Sequence, residues 1–454
     1  MKVLKFGGTS CANASSLTAV KNVVLSSKDN RVVVVSAPGK REKADIKVTD
    51  LLYACFDVFS KSKVNIASLT KKDSEFNKSF ATIEKRFIDI IADLKLNVDL
   101  SNDFRIIKDT LIQKGELDYF VSRGEFLSGK IMASILGYDF IDPSSIVKFD
   151  KNGKFLPEET NEAASKILLN SKAAVIPGFY GALPNGTIKT FSRGGSDVTG
   201  AILARAVNAS VYENWTDVDG FLVTDPRIVN NPKRIEMLTY RELRELSYMG
   251  ASVLHSDSIF PVRKSDIPIH IRNTFCPSCT GTLVVPTGKY LSGEFKRQAR
   301  TVTGIAGKKD ICAIYIRKAM MNDELGFARR VLEILEKNSI SLEQMPSGID
   351  TLTVVFDSSK VSVKTIENVR NTILSECQAD EVRIKDHLAI IAVVGHGMNS
   401  KRGTAAKVCG TLSDADINIV FIDQGSSELN IILGINETDY EKAIVSLHEA
   451  FKDD

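Results

Sequence analysis

Histidine is scarce in this chain: five residues in 454. None of the five falls in the motifs described below except His255, whose neighbourhood reads as structural, and no two form a close ligand pair. Cysteine gives no framework either. Seven cysteines stand at irregular spacings, and the lone C-x-x-C, Cys276-Pro277-Ser278-Cys279, has no second ligand pair to complete a zinc site. It reads as a turn, no metal is expected, and the cysteines are expected to be reduced thiols in the cytoplasm. Charge of one sign is also missing: the net charge is +3 with acids and bases interspersed, so nothing calls for nucleic acid or a membrane surface. No apolar run reaches membrane-spanning length. The first residues enter a strand at once, so no signal peptide is expected. What is present is 43% hydrophobic and 25% charged residues, the balance of a soluble globular protein. The length calls for about two or three domains.

The first motif is Val3-Leu4-Lys5-Phe6-Gly7-Gly8-Thr9-Ser10. An apolar strand runs into two glycines and then into helical sequence over 15–27. Paired glycines let backbone N–H groups approach an anion, and a helix N-terminus adds a positive dipole end. Lys5 supplies a charge, and Thr9 and Ser10 supply hydroxyls. This is a phosphate cradle, but not the P-loop, because the lysine precedes the glycines. The plain alternative is an ordinary strand-to-helix turn.

Over roughly the first 300 residues, apolar strands such as Arg31–Ser36, Ala173–Ile176 and Ser210–Glu213 alternate with helical runs such as Leu127–Leu136. That pattern predicts an α/β domain, a mainly parallel sheet with helices on both faces. The polar, basic stretch Thr287–Arg300 marks its end, which places the first domain at 1–298. An internal repeat follows. Gly326–Leu335 lies on Gly403–Leu412 without a gap, and the match continues through Ile340/Ile417, Gly348/Gly425 and Leu352/Leu429. Each copy reads strand, helix, strand, strand, helix, and places its apolar residues on one helical face. The copies span 302–386 and 387–454. Only the first gains a final strand, near Glu381–Ile384. The segment 302–306 is expected to complete the sheet of the second copy.

Three further segments carry chemistry. Ser122-Arg123-Gly124-Glu125 places an acid at a helix mouth, where it also answers the helix dipole. Phe191-Ser192-Arg193-Gly194-Gly195-Ser196-Asp197 is a second glycine pair running into a helix, with an arginine fork suited to a carboxylate. Glu213-Asn214-Trp215-Thr216-Asp217-Val218-Asp219-Gly220 and Thr224-Asp225-Pro226-Arg227 form an acidic loop fit to grip a nucleotide with its Mg²⁺, or simply a set of surface turns.

Lys-Phe-Gly-Gly-Thr, Ser-x-Gly-Glu, Ser-Arg-Gly-Gly-Ser-Asp and Trp-Thr-Asp-Val-x-Gly, in this order and followed by two small repeats, resemble the aspartate kinases of the monofunctional type. The resemblance covers nearly the whole chain. It implies an amino acid kinase fold followed by two ferredoxin-like βαββαβ ACT modules. It also implies transfer of the ATP γ-phosphoryl, with Mg²⁺ carried by the nucleotide, to the side-chain carboxylate of L-aspartate. That carboxylate is already ionised at neutral pH, so positioning and positive charge are what an enzyme must supply. By resemblance, Lys5, Arg193 and Asp197 are catalytic. Ser36, Thr49, Glu125 and Arg193 hold the substrate, Glu125 at its α-ammonium and Arg193 at its α-carboxylate. Lys5, Gly7, Gly8, Thr9, Thr216, Asp217, Leu222 and Arg227 hold ATP. Two positions depart from the family pattern: Leu222 replaces a frequent Tyr, and Ser252 a frequent Lys, which puts the adenosine contacts in question.

In the first repeat the resemblance assigns Met321, Asp323 and Gly326, at a helix start, and Ser341, Leu342, Glu343 and Gln344, on the next strand, to a feedback amino acid. Free helix-start amides suit its carboxylate, and Glu343 its ammonium. The expected inhibitor is lysine, threonine or both, and the expected assembly is a homodimer or homotetramer formed through the ACT modules. Two other readings compete: a kinase for another amino acid or a nucleoside monophosphate, and an amino-acid sensor without catalysis. The tandem repeat argues against the first, and the intact Lys5, Glu125, Arg193 and Asp197 argue against the second.

Overall fold

The computed structural model describes residues 1–62, 74–192, 194–251, 254, 259–295 and 300–453. Arg193, Ser252 and His255 lie outside the described residues. The chain divides into two compact units.

The first unit comprises Met1–Phe221, Glu236–Tyr240 and Ser252–Lys296. Its strands are β1 (Lys2–Phe6), β2 (Asn30–Val35), β3 (Asp139–Phe140), β4 (Ala174–Pro177), β5 (Tyr180–Ala182), β6 (Ile188–Thr190), β7 (Val211–Thr216), β8 (Met237–Thr239), β9 (Ile269–Asn273) and β10 (Thr282–Val285). Eight of them form one sheet in the order β3-β4-β2-β1-β7-β9-β10-β8, and β5 and β6 form a separate hairpin. Pairing is parallel from β3 across to β9, and β10 runs antiparallel to β9. The central strand β2 ends in a continuous apolar run, Val32–Val35, because both faces are covered, and β1 beside it is buried from Val3 to Phe6 with Lys5 as its one charged buried residue.

The helices of this unit are α1 (Ala14–Leu25), α2 (Val48–Ser62), α3 (Glu75–Asp93), α4 (Ser101–Lys114), α5 (Leu117–Val121), α6 (Arg123–Leu136), α7 (Pro157–Leu168) and α8 (Gly195–Ala206). Next come α9 (Tyr240–Tyr248), which passes into the second unit after its first residue, α10 (Ile259–Arg263) and α11 (Thr287–Leu291). A string of phenylalanines knits α2 to α5 together: Phe59–Phe76, Phe76–Phe80, Phe80–Phe104 and Phe80–Phe120 all stand within about 6 Å between ring centroids.

The second unit comprises Leu222–Ile235, Arg241–Ala251 and Arg297–Asp454. Two short segments that lie within the first domain expected over 1–298, Leu222–Ile235 and Arg241–Ala251, cluster with this second unit. Unit two carries β11 (Gly304–Arg317), β12 (Thr351–Asp357), β13 (Glu381–Val394), β14 (Ile419–Asp423) and β15 (Asn430–Asn436), with α12 (Phe327–Lys337), α13 (Val363–Glu376), α14 (Thr404–Asp414) and α15 (Tyr440–Phe451). The strands make a single antiparallel sheet, β12-β11-β13-β15-β14, rather than one sheet per repeat. The long strands β11 and β13 run through both repeats. Two apolar cores lie along this sheet. One joins β12 with α12 and α13, the other β15 with α14 and α15. The start of β11 serves the second core: Gly304, Ile305 and Ala306 pair with Val394, Val393 and Ala392. Ile305 and Val302 pack beside Val408 and Leu447.

The repeat shows in matched helix starts. Gly326 before α12 and Gly403 before α14 both adopt left-handed backbone, φ 80° and 87°, with little around them that a Cβ would strike. Conformation rather than crowding asks for glycine at both. One expected strand is absent. Asn338–Gln344 is irregular and touches the sheet through an isolated bridge, Gln344 to Val355.

Candidate active site

The parallel register of β1 against β7 sets Lys5 opposite Asn214. Lys5 is 7% exposed. Its ammonium lies 2.5 Å from Asp197 Oδ1 and 3.5 Å from Asn214 Oδ1. Asn214 Nδ2 in turn donates to Asp197 Oδ1 at 2.9 Å, and the Tyr212 hydroxyl donates to the Asp197 carbonyl. Asp197 sits in the first turn of α8, whose N-cap Gly194 is left-handed at φ 58°. The two glycine motifs therefore meet at one ion pair, between buried Lys5 and half-buried Asp197. Such a pair is expensive to desolvate, and removing either partner strands the other. Asn214 has no assigned role in the sequence reading. Its part depends on the β1–β7 register, which a linear pattern does not display.

The glycine turn differs from the expected cradle in two respects. The Gly7 N–H donates to the Trp215 carbonyl at 3.0 Å, so it is spent within the sheet. A short 3₁₀ turn, Thr9–Cys11, then separates the glycines from α1, and Asn13 caps α1 by accepting from Ser16 N–H. The amides of Gly8 and Thr9 thus stand at the start of the 3₁₀ turn, apart from the start of α1. A Cβ on Gly7 would meet only ordinary contacts, 3.5 Å from Lys5 Nζ, whereas one on Gly8 would come within 3.3 Å of the Ala37 carbonyl oxygen and of Gly39 Cα. Gly8 is clasped from the other side by Gly39, whose N–H donates to the Gly8 carbonyl at 2.8 Å. A Cβ on Gly39 would come within 2.5 Å of the Gly8 carbonyl carbon.

That clasp has a support the sequence reading missed. Buried Arg86, on α3, donates to the Gly39 carbonyl at 2.8 Å and to Asp45 Oδ2 at 2.7 Å. Hydrogen bonds from Arg41 hold the Asp45 carboxyl well below the usual carboxylate range. Ser36 follows β2, and its N–H donates to the Phe6 carbonyl. Thr49 lies in the first turn of α2, and Arg86 also donates to the Ile46 carbonyl just before that helix.

Glu125 opens α6 and is 5% exposed. Burial pushes its pKa up to about 8, and its Oε2 is buried without a hydrogen-bond partner. A buried carboxyl with an unmet acceptor is well placed to receive a cationic donor. At the end of β7, Thr216 donates to Asp217 Oδ1, and its carbonyl accepts from Thr274 N–H. The Thr274 hydroxyl meets that of Ser10 at 2.8 Å, which ties the end of β9 to the turn after β1. Leu222 and Arg227 belong to the second unit. Leu222 bridges to Arg234, and the Arg227 fork is closed on Asp225 at 2.6 Å.

The cysteine expectation needs correction. Cys276 and Cys279 form a disulfide in the β9–β10 loop, while Cys11, Cys55, Cys312, Cys377 and Cys409 are free. The loop's tight turn, with Cys279 N–H donating to the Cys276 carbonyl, brings the two sulfurs together. Asp219 lies within 4.8 Å of both sulfurs. Joined sulfurs are not thiolates, so the cluster offers one charged ligand and is a poor metal site as it stands.

In the second unit, Met321 and Asp323 lie in a 3₁₀ turn before Gly326, whose backbone caps α12 without a side-chain oxygen. The Glu324 carboxylate is held by Lys318 at 2.6 Å and by Arg330. Glu343 already has a cation: Lys308 Nζ stands 2.8 Å from its Oε1, over the Tyr248 ring. Its Oε2 is buried without a hydrogen-bond partner. Burial, then the neighbouring Glu343, pushes the Tyr248 hydroxyl up to about 12. Ser341 is exposed, and Leu342 and Gln344 are half-buried.

A model of the amino acid kinase family matches residues 1–273, and one of the ACT domain matches residues 391–451. Aspartokinase 3 of Bacillus subtilis is 37% identical over 466 residues, covering 99% of this chain and 98% of its own. The crystal structure of Clostridium acetobutylicum aspartate kinase is 42% identical with a TM-score of 0.91, covering 99% of this chain and 100% of that one. The crystal structure of E. coli aspartokinase III in complex with lysine and aspartate is 25% identical, with a TM-score of 0.71 and 99% of each chain covered. Among the described residues no helix is long and apolar enough to cross a membrane.

Proposed function

As the chain belongs to the amino acid kinase family and is an aspartate kinase, we propose that phosphoryl transfer to the aspartate side chain takes place at the Lys5–Asp197 pair. The pair beside the Gly7–Gly8 turn is the observation that carries this reading. The Lys5 ammonium neutralises the transferred phosphoryl, and the Gly8 and Thr9 amides hold its oxygens. Asp197 aims Lys5 and accepts from the substrate amine. Glu125 receives the α-ammonium through its unmet oxygen, and Arg193 takes the α-carboxylate. Ser36 and Thr49 line the same substrate. Thr216, Asp217, Leu222 and Arg227 contact the nucleotide, whose own phosphates carry Mg²⁺. The absence of side chains at the glycine turn leaves room for a polyphosphate beside Lys5.

Lysine is the proposed inhibitor, with threonine, alone or together with lysine, as the alternative. Its carboxylate goes to the α12 start near Met321, Asp323 and Gly326, and its ammonium to the open Oε2 of Glu343 within Ser341–Gln344. Because Oε1 is committed to Lys308, effector binding and the Lys308–Tyr248 contact are coupled. The enzyme works in the cytoplasm as a homodimer or homotetramer through the ACT modules. ADP release with L-aspartate, L-glutamate or UMP as acceptor, with and without lysine and threonine, tests the whole reading. Release with aspartate alone, suppressed by lysine, is expected. Release with glutamate or UMP, or none at all, would overturn it.

A further inference from the structure

The β9–β10 loop carries a redox group that the proposed reaction does not use. The two cysteines of its disulfide, Cys276 and Cys279, are half-buried, and Pro277 and Ser278 between them are exposed. A thiol from solution therefore has a path to the sulfurs. The bond is not what closes the loop. Cys279 N–H donates to the Cys276 carbonyl at 2.9 Å, Cys276 N–H to the Asn273 carbonyl at 3.3 Å, and Arg272 Nη2 to the Pro277 carbonyl at 2.6 Å. A cross-link between residues this near in sequence also removes less freedom from the unfolded chain than one closing a long loop. Opening it should leave the fold intact.

What the disulfide stands against gives it a use. The exposed Asp219 carboxylate lies within 4.8 Å of both sulfurs. Asn273, the last residue of β9, donates from Nδ2 to Asp219 Oδ1 at 2.8 Å. The same side chain accepts from Phe275 N–H through Oδ1, also at 2.8 Å. Thr274 N–H donates to the Thr216 carbonyl at 2.9 Å. Asn273 and Thr274 thus tie the disulfide loop to the acidic loop 216–219 that follows β7. The cross-link and the two ends of that acidic loop share one short stretch of backbone.

We propose that Cys276 and Cys279 are a reversible thiol–disulfide exchange site, reduced by a dithiol, whose state sets the affinity for ATP through Asp219. A thiolate of the dithiol attacks one sulfur and forms a mixed disulfide, and the other protein sulfur leaves as a thiolate. The second thiol of the dithiol then displaces the bound cysteine and closes its own disulfide. Two electrons pass from the dithiol to the pair, and its two protons go to the cysteine sulfurs. Sulfurs no longer bonded move apart to van der Waals contact, and any thiolate among them repels the Asp219 carboxylate. Asp219 leaves Asn273, and the acidic loop loosens. The oxidised chain therefore holds ATP more tightly. That consequence rests on the reading that Thr216 and Asp217 contact the nucleotide, whereas the exchange itself does not.

The test prepares the full chain with dithiothreitol and, separately, with its oxidised cyclic form. Thiols reactive in the folded chain are counted, and binding of ATP with Mg²⁺ is measured by calorimetry. Reduction should add two reactive thiols and weaken ATP binding about three- to tenfold, the loss of about one hydrogen bond to a charged group. The double variant Cys276→Ser, Cys279→Ser should bind ATP as the reduced chain does, whatever the reagent. Asp219→Ala should likewise bind equally in both preparations, though its pair still cycles. Circular dichroism checks folding, and the serine variant remains informative if Asp219→Ala does not fold. No gain of thiols on reduction, equal ATP affinity in the two states, or a redox difference that survives in folded Asp219→Ala would each overturn the proposal. ADP release with L-aspartate is followed in parallel. Transfer with equal ATP affinity in both states sinks this inference alone, whereas redox-dependent ATP binding without transfer sinks the kinase reading alone.

Discussion

Each unit contains a lysine–carboxylate pair with low exposure, and the two are built differently. Lys5–Asp197 joins a central strand to the first turn of a helix, with Asn214 cross-bracing it from the neighbouring strand. Parallel register places Asn214 opposite Lys5, and the first turn of α8 presents Asp197 to both. Lys308–Glu343 joins a strand to an irregular segment, and the β11–β13 register slips between Lys308 and Ile311. Bulges re-aim side chains and interrupt pairing. The first pair is fixed by sheet geometry, as a phosphoryl-transfer site requires. The second hangs on local backbone that has fewer ladder bonds, as a site that must respond to an effector requires.

The comparison breaks most visibly at Lys5. Lys5→Ala should lower turnover by about 10²–10³, the usual loss for one preorganised electrostatic contact. Steady-state rates with saturating substrates measure it, and a fall of less than about tenfold would remove Lys5 from the phosphates. Glu125 sharpens the picture through pH. Burial raises its pKa to about 8, and only the ionised form receives the substrate ammonium. Apparent aspartate affinity should therefore improve as pH rises toward about 8, by up to about tenfold per unit. Glu125→Gln should flatten that profile. The sign for stability is opposite. The folded state holds a proton that the unfolded chain has lost above its ordinary 4.5, so the unliganded fold loses stability between there and about 8. Thermal melts across that range check it.

At the other pair, Lys308→Met should leave uninhibited turnover within about twofold and lower the lysine needed for half inhibition by about tenfold, since Glu343 then has only the effector's cation to meet. A lysine titration in which wild type and variant coincide would disconnect the pair from regulation. The smallest effect is expected at the matched helix starts. Gly326→Ala and Gly403→Ala should each cost about 1 kcal/mol of stability through left-handed strain, seen in denaturant melts, with catalysis unchanged.

How much of this was legible beforehand follows the range of the interactions. The glycine turn, the helix with Glu125 in its first turn and the repeat with its matched Gly326 and Gly403 rest on local pattern, and the linear chain displays them. Strands were read to within a few residues for the same reason. Asn214 beside Lys5, Arg86 under Gly39, and Lys308 on Glu343 rest on strand register or loop closure between distant segments. Nothing in their own neighbourhoods announces them. The segments 222–235 and 241–251 carry no repeat signature, so their membership in the second unit was equally hidden. Asn338–Gln344 reads as a strand by alternation, yet the structure spends it on an isolated bridge that leaves Glu343 facing Lys308.

The most direct measurement sets the two pairs side by side: turnover of wild type, Lys5→Ala and Lys308→Met, each with and without saturating lysine. The account predicts that Lys5→Ala loses turnover in both conditions by about 10²–10³. It predicts that Lys308→Met keeps its uninhibited rate and changes only its response to lysine. A Lys308→Met enzyme as slow as Lys5→Ala, or a Lys5→Ala enzyme as fast as wild type, would contradict the division of labour between the two pairs.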